Sequence, residues 1–120
     1  MGAQVTVLVV DDDPSIRLLC RVNLQLDGHA VPEAGTLAEA RAAIAEHHVD
    51  VVILDVHIAG ADGRDLLVEL RASRAELPIA LLTGTADRDD LLRAGADALI
   101  PKPFTIDELR ETVDRLAAGR

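Results

Sequence analysis

An α/β fold is predicted for this chain, with five parallel strands in one open sheet and helices on both faces. Three observations predict it. Short apolar runs alternate with segments of helical periodicity along the 120 residues, several of these runs are almost continuously apolar, and the helical segments begin and end at recognisable capping residues. Continuously apolar strands are typical of parallel sheets buried on both faces, and right-handed crossovers between them produce a doubly wound sheet.

The strands are predicted from the apolar runs. They are expected over residues 5–10, 29–33, 50–55, 79–83 and 97–101. The second run contains Pro32, which has no N–H to donate to a neighbouring strand. We therefore expect this strand to lie at an edge of the sheet or to form a bulge.

The helices between these strands have marked ends. Asp13 can cap the first helix, and Gly28 stands just past its end. Capping boxes, in which two residues satisfy each other's free backbone N–H groups, are predicted at 36–39 and 105–108. A third helix is expected over about 63–73.

The composition narrows the functions to be considered. The formal net charge is −9 at pH 7, whereas proteins that grip nucleic acid by its phosphates usually present a basic face. We therefore expect no direct nucleic-acid binding by this domain.

No apolar run is long enough to span a membrane, so no membrane contact is expected. The single cysteine, Cys20, excludes an internal disulfide and favours a reducing, cytoplasmic location, where it would be a small buried hydrophobe.

Polar side chains stand where the predicted strands end. They are Asp11 and Asp12 after the first strand, Asp55 at the end of the third, Thr83 at the end of the fourth and Lys102 after the fifth. The carboxyl ends of parallel strands share one edge of a sheet, and ligands bind in the crevice there. The sequence therefore predicts that these side chains meet in one cleft.

Clustered carboxylates require a cation among them. Two carboxylates about 4 Å apart repel by about 4 kcal/mol at an effective dielectric constant of 20. Mg²⁺ prefers hard oxygen ligands and typically takes one or two carboxylates together with phosphate oxygens. We therefore expect Mg²⁺ among these carboxylates, facing Lys102, which is the one lysine of twelve cationic side chains. Asp13 is explained by helix capping alone.

The same residues lie in motifs that resemble the receiver domain of two-component response regulators. The segments VLVVDDDPSIR, VDVVILDVHIAGADG, LPIALLTG and GADALIPKPF stand in the family's order with about its spacing. The resemblance covers nearly the whole chain. It implies a flavodoxin-like (βα)₅ fold and a single receiver domain over residues 1–120.

The resemblance implies a role for each acidic residue. Asp55 would be the phosphoacceptor. Asp12, Asp55 and the backbone carbonyl of His57 would bind Mg²⁺ directly, and Asp11 would act mainly through water.

It also implies the remaining parts of the reaction. Thr83 and Lys102 would contact the phosphoryl oxygens, and the Lys102–Pro103 peptide bond would be cis. The donor would be a sensor histidine kinase or a phosphotransfer protein, and the modified domain would act on an output domain or a downstream protein. The domain would catalyse only its own phosphorylation and dephosphorylation, so we do not expect a conventional enzyme.

The sequence departs from the family pattern at several positions. Ala59 stands where the family usually has Pro, so the loop with Gly60 is expected to be more pliable. Leu99 replaces a frequent Tyr or Phe, which excludes an aromatic rotamer switch there. The fourth helix has room for barely two turns, so residues 86–94 are expected to be mobile and the dimerisation face that includes this helix is doubtful.

Two alternatives to a phosphate-accepting receiver remain open from the sequence. One is a pseudo-receiver, a protein-binding module that no longer takes phosphate. The other is a phosphohydrolase of the haloacid-dehalogenase type, in which Asp11 would be the nucleophile and Asp13 its partner in an Asp-x-Asp motif. His57 and Thr85 would flank the phosphate in a receiver and affect its lifetime, although His57 is equally well explained as an exposed loop residue.

Overall fold

Strands and helices alternate along the chain, as the sequence predicts. The computed structural model describes residues 4–84 and 88–118. Its strands are β1 (Val7–Val10), β2 (Glu33–Ala34), β3 (Val51–Asp55), β4 (His57–Ile58), β5 (Ala61–Asp62), β6 (Ile79–Thr83) and β7 (Ala98–Pro101). Its helices are α1 (Pro14–Leu26), α2 (Leu37–Glu46), α3 (Gly63–Ser73), α4 (Arg88–Arg93) and α5 (Ile106–Ala117).

Five of these strands form one parallel sheet in the order β2-β1-β3-β6-β7. The strand β3 is central, because two strands lie on each side of it. This order is the flavodoxin-like arrangement of a doubly wound sheet. The predicted α/β fold is confirmed.

The second strand is shorter and later than the sequence predicts. Instead of residues 29–33, β2 spans Glu33–Ala34, and Ala30 joins the sheet only through an isolated parallel bridge to Thr6. Pro32 interrupts the ladder because it has no N–H, although its carbonyl accepts a hydrogen bond from Val9. The predicted edge position is confirmed.

The core consists of two aliphatic clusters, one on each face of the sheet. Successive side chains of β1 alternate between them, with Leu8 and Val10 in one cluster and Val7 and Val9 in the other. Cys20 is fully buried in the second cluster, and burial raises the pKa of its thiol to about 12. The thiol therefore stays protonated at neutral pH, as expected for a small buried hydrophobe.

One of the two predicted capping boxes forms completely. Thr105 accepts a hydrogen bond from the Glu108 amide, and the Glu108 carboxylate accepts one from the Thr105 amide. Thr36 likewise accepts a bond from the Glu39 amide, but the Glu39 carboxylate bonds the Gly35 amide instead of that of Thr36. The predicted box at 36–39 is therefore wrong in its second half, although the helix is still capped.

The loop after β3 folds into a two-residue β-hairpin, which the sequence did not predict. Strands β4 and β5 pair antiparallel, with Ile58 opposite Ala61. The two turn residues, Ala59 and Gly60, have φ values of 50° and 77°. Positive φ at both positions is the signature of a type I′ turn, whose twist matches that of the paired strands.

The fourth helix is short, as predicted. It spans six residues, Arg88–Arg93, with acidic residues in its first turn and Arg93 in its last. Thr85 and Asp87 lie outside the described residues, and the mobility expected for residues 86–94 stays a prediction. Leu99 is half-buried on β7 and packs against one of the core clusters.

Candidate functional site

Three carboxylates meet at the carboxyl edge of the sheet. Within the described parts of the chain, Asp11, Asp12 and Asp55 form one group in which an oxygen atom from each lies within 4.8 Å of the others. Asp11 is fully buried and Asp55 is nearly so, while Asp12 is exposed. The sequence prediction that these residues converge is confirmed.

The register of the sheet brings Asp11 and Asp55 together. Val10 pairs with Leu54, so the next residue of each chain segment, Asp11 and Asp55, emerges side by side. The apolar residues before them bury both strands on both faces, which fixes the register. Two long apolar strands therefore carry two acids to the same point.

The three consecutive aspartates have different surroundings. Asp11 accepts a hydrogen bond from the Asp13 amide at 2.9 Å, and Asp13 accepts one from the Ser15 amide at 2.8 Å. Asp13 is thus the N-cap of α1, as predicted. This division explains how the run of like charges is accommodated: two acids enter the cluster and the third caps a helix.

Lys102 directly follows the edge strand β7 and reaches the acidic cluster from that edge of the sheet. Its Nζ donates to Asp11 Oδ2 at 2.9 Å and to Asp55 Oδ2 at 3.1 Å. Its backbone amide donates to the carbonyl of Thr83 at 2.9 Å, and the Lys102–Pro103 peptide bond is cis. The lone lysine therefore bridges two of the three carboxylates.

Burial and charge act in opposite directions on the pKa values of this pair. Burial raises the pKa of Asp55, the hydrogen bond from Lys102 opposes that effect, and the nearby charge of Asp11 adds to it; the net direction is upward. Burial lowers the pKa of Lys102, but hydrogen bonds to Asp11 and Asp55 outweigh it and the net direction is again upward. Lys102 therefore stays charged, and Asp55 is a more basic carboxylate than usual.

Thr83 and His57 also lie at this edge. Thr83 ends β6 and is buried, one position beyond the residue that pairs with Asp55. The His57 amide donates to Asp55 Oδ1 at 3.3 Å, and its side chain is exposed. The roles of the Thr83 hydroxyl and the His57 carbonyl stay predictions.

Sequence reasoning missed one contact of the cluster. The amide of Ala59, at the tip of the β4–β5 hairpin, donates to Asp12 Oδ2 at 3.0 Å. Gly60 marks a turn at this place, but nothing in an alanine indicates a left-handed backbone or a bond to a residue 47 positions away.

The donor set fits a hard divalent cation. Carboxylate oxygens are the ligands that Mg²⁺ prefers, and one exposed acid leaves a side of the cluster open to water or phosphate. The two buried acids already share an ammonium. The site can therefore hold positive charge from two sources, a bound cation and the Lys102 ammonium.

Comparison with known proteins identifies the family. The family model described as "Response regulator receiver domain" matches residues 7–114. The chain belongs to the response regulator receiver family. The receiver match includes every predicted site residue, from Asp11 to Lys102.

Two relatives of this receiver domain come from Mycobacterium tuberculosis. The chain is 41% identical over 119 residues to the transcriptional regulatory protein KdpE, covering 94% of this chain and 53% of KdpE. It is 40% identical over 111 residues to the probable transcriptional regulatory protein TcrX, covering 90% of this chain and 47% of TcrX. The receiver chain thus spans about half the length of these curated relatives.

Solved structures agree with this assignment. The receiver domain of NtrX from Brucella abortus superimposes with a TM-score of 0.86 at 34% identity, covering 92% of this chain and 97% of that one. Among the described residues of this receiver, no helix has the length and apolar character needed to cross a membrane.

Proposed function

We propose that this receiver domain accepts a phosphoryl group on Asp55 from a phosphohistidine and passes the signal to an output partner. The observation that carries the proposal is the pairing of the Lys102 ammonium with the Asp11 and Asp55 carboxylates, beside the exposed Asp12. This arrangement supplies a carboxylate nucleophile together with the positive charge that phosphoryl transfer requires.

The metal of this proposal is Mg²⁺. Asp12 and Asp55 would hold it directly with the carbonyl of His57, and Asp11 would act mainly through water. When bound, Mg²⁺ neutralises charge on the phosphoryl oxygens and orients the group for in-line transfer.

The transfer itself needs little covalent chemistry from the protein. An Asp55 oxygen forms the new P–O bond, the P–N bond of the donor's phosphohistidine breaks, and its electron pair stays on the imidazole nitrogen. The Lys102 ammonium, 3.1 Å from Asp55 Oδ2, helps to hold this carboxylate in place for the attack. Lys102 and the Thr83 hydroxyl would contact the phosphoryl oxygens as negative charge spreads over them.

We propose that the donor docks on an exposed apolar face of α1. Leu18, Val22 and Leu26 lie four residues apart on α1, so they share one face, and they are 49%, 42% and 79% exposed. The helix begins directly after Asp13, whose amide bonds Asp11, so the Leu18 end of this face is the end nearer the cleft. We assign the face to a sensor histidine kinase or phosphotransfer protein in the cytoplasm.

The output partner is an output domain of a longer chain or a separate downstream protein. KdpE and TcrX are named as transcriptional regulatory proteins, and this chain spans about half of each. We propose that any contact with nucleic acid is made by such an output region, because the receiver itself is strongly acidic.

Phosphorylation by a small phosphodonor tests the proposal. Wild-type protein incubated with phosphoramidate and Mg²⁺ is expected to gain one phosphoryl group by intact mass, and Asp55→Asn is expected to gain none. Asp13→Asn is the matched control, since it also removes one negative charge but leaves a good N-cap residue in place.

Three results would contradict the proposal. An adduct that persists in Asp55→Asn would place the acceptor elsewhere, and multiple-turnover phosphate-ester hydrolysis lost in Asp11→Asn would favour the haloacid-dehalogenase type. No adduct on the wild type, with the fold intact, would make this chain a pseudo-receiver.

A further inference from the structure

The tip of the β4–β5 hairpin reaches the exposed member of the acidic cluster. The Ala59 amide donates to Asp12 Oδ2 at 3.0 Å. Asp11 and Asp55 are buried and each is bonded to Lys102, whereas Asp12 is exposed. Asp12 is therefore the carboxylate with the most rotational freedom to lose, and the hairpin tip is what restrains it.

The backbone of the hairpin is built for this contact. The ladder pairs His57 with Asp62 and Ile58 with Ala61, which places Ala59 and Gly60 in the turn beyond it. Ala59 has a φ of 50°, a left-handed conformation that costs a non-glycine residue about 1 kcal/mol. Proline, with φ fixed near −65° and no N–H, can neither adopt this conformation nor make this bond.

We propose that Ala59 is a positioning residue whose N–H holds the Asp12 carboxylate for Mg²⁺. The bond uses Oδ2 and leaves the second oxygen of Asp12 for the cation that it shares with Asp11 and Asp55. Hydrogen bonds to ligating carboxylates fix their orientation, and losing such a partner typically lowers metal affinity about 10- to 100-fold. The inference rests on the proposed function, since it concerns the metal site of that function.

Three variants separate the hydrogen bond from the shape of the loop. Ala59→Gly keeps the N–H and favours the same φ, so its Mg²⁺ dissociation constant is expected to stay close to that of the wild type. Ala59→Pro removes both, and its dissociation constant is expected to rise about tenfold or more. Gly60→Ala strains the same turn at its other residue, where no atom lies within 4 Å of the added methyl group, and it keeps the Ala59 N–H.

The affinities are measured by calorimetric titration of each purified variant with Mg²⁺ alone, after circular dichroism has shown that it is folded. A tenfold loss in Ala59→Pro, with Ala59→Gly and Gly60→Ala near the wild type, supports the inference. Equal affinities for Ala59→Pro and the wild type overturn it. A loss of the same size in Gly60→Ala also overturns it, because loop strain would then explain the effect.

Amide exchange provides a second test, whose decisive measurement is made on the Mg²⁺-bound wild-type protein. The exchange of the Ala59 amide hydrogen with solvent, followed by NMR, is expected to stay slow when Mg²⁺ saturates the site and to become fast in Asp12→Ala. Fast exchange in the Mg²⁺-bound wild type would overturn the inference, because the hairpin would then compete with the cation for Asp12.

Failure of the inference and failure of the proposed function look different. If the wild type binds no Mg²⁺, the metal site of the proposed function is lost and this inference with it. If it binds Mg²⁺ and is phosphorylated while Ala59→Pro matches it in affinity, the inference alone fails.

Discussion

The ionised form of Asp55 is stabilised by Lys102 and destabilised by burial and by the charge of Asp11. Its side chain ends the central strand, nearly buried, with the Lys102 ammonium at 3.1 Å and the Asp11 carboxylate beside it. Burial and the like charge of Asp11 outweigh the lysine, so the pKa of Asp55 is raised. A carboxylate in this position is maintained at some expense of stability, which is a common trade-off at functional sites.

Replacing Asp55 should therefore stabilise the protein in the absence of divalent cations. Because its folded-state pKa lies above the ordinary 3.8, stability is lost as rising pH ionises the group in the fold. Asp55→Asn removes that loss, and Lys102 keeps Asp11 as a partner. We expect a higher midpoint of thermal unfolding than the wild type at pH 7 in EDTA, and a shrinking difference towards pH 4.

Asp62 provides the opposite control. Hydrogen bonds from Arg64 lower the pKa of Asp62, so its contribution to stability is present at neutral pH and is lost as pH falls. Asp62→Asn should therefore unfold at a lower temperature at pH 7 and approach the wild type in acid. If the stability differences of the two variants from the wild type changed with pH in the same direction, the upward shift given for the pKa of Asp55 would be wrong.

At the scale of elements, the sequence predicted those parts whose signal is local. The long apolar strands end where their apolar runs end, as for residues 79–83, and Asp13 and Thr105 cap the helices that follow them. The β4–β5 hairpin was missed because Ala59 adopts a conformation that alanine rarely shows, stabilised by the distant Asp12. Local propensity cannot predict a turn whose stabilising partner lies 47 residues away.

The junction between the hairpin and α3 depends on a glycine. A Cβ atom on Gly63 would clash with the backbone oxygen of Asp55. The Gly63 amide also donates a hydrogen bond to the Val56 carbonyl at 2.6 Å. The end of β3 and the start of α3 are thus in direct backbone contact.

Gly63→Ala should consequently lower the free energy of unfolding by about 1–3 kcal/mol, because the clash is with backbone and cannot be relieved by a side-chain rotation. Urea denaturation measures the change. Gly84→Ala is the matched control, since the nearest atom to its added methyl group is at 3.8 Å. Equal, small effects of the two substitutions would contradict the close packing described for this junction.

At the scale of the molecule, the site draws on both ends of the fold. Asp11 follows the first strand in the chain, Asp55 ends the central strand and Lys102 follows the last, 91 positions after Asp11. The sequence predicted this convergence because parallel strands share one carboxyl edge. It could not predict which carboxylates the ammonium contacts, since that depends on side-chain geometry.

A cation that binds the cluster of Asp11, Asp12 and Asp55 should stabilise the whole fold. At a Mg²⁺ concentration 100 times its dissociation constant, linkage adds about 2.7 kcal/mol to the free energy of unfolding if the unfolded chain does not bind the ion. We expect Mg²⁺ to raise the midpoint temperature of thermal unfolding for the wild type and for Asp13→Asn. We expect little or no rise for Asp12→Asn. The same rise in Asp12→Asn as in Asp13→Asn would mean that the ion binds elsewhere or non-specifically.

The bond between Lys102 and Asp11 has a consequence for incomplete forms of the chain. A ribosome-bound or proteolysed chain that ends after β6 holds both acids and lacks the ammonium that makes them useful. Such a fragment lacks both bonds that Lys102 makes to Asp11 and Asp55. The full cluster of carboxylates and ammonium therefore forms only after the last strand has joined the sheet.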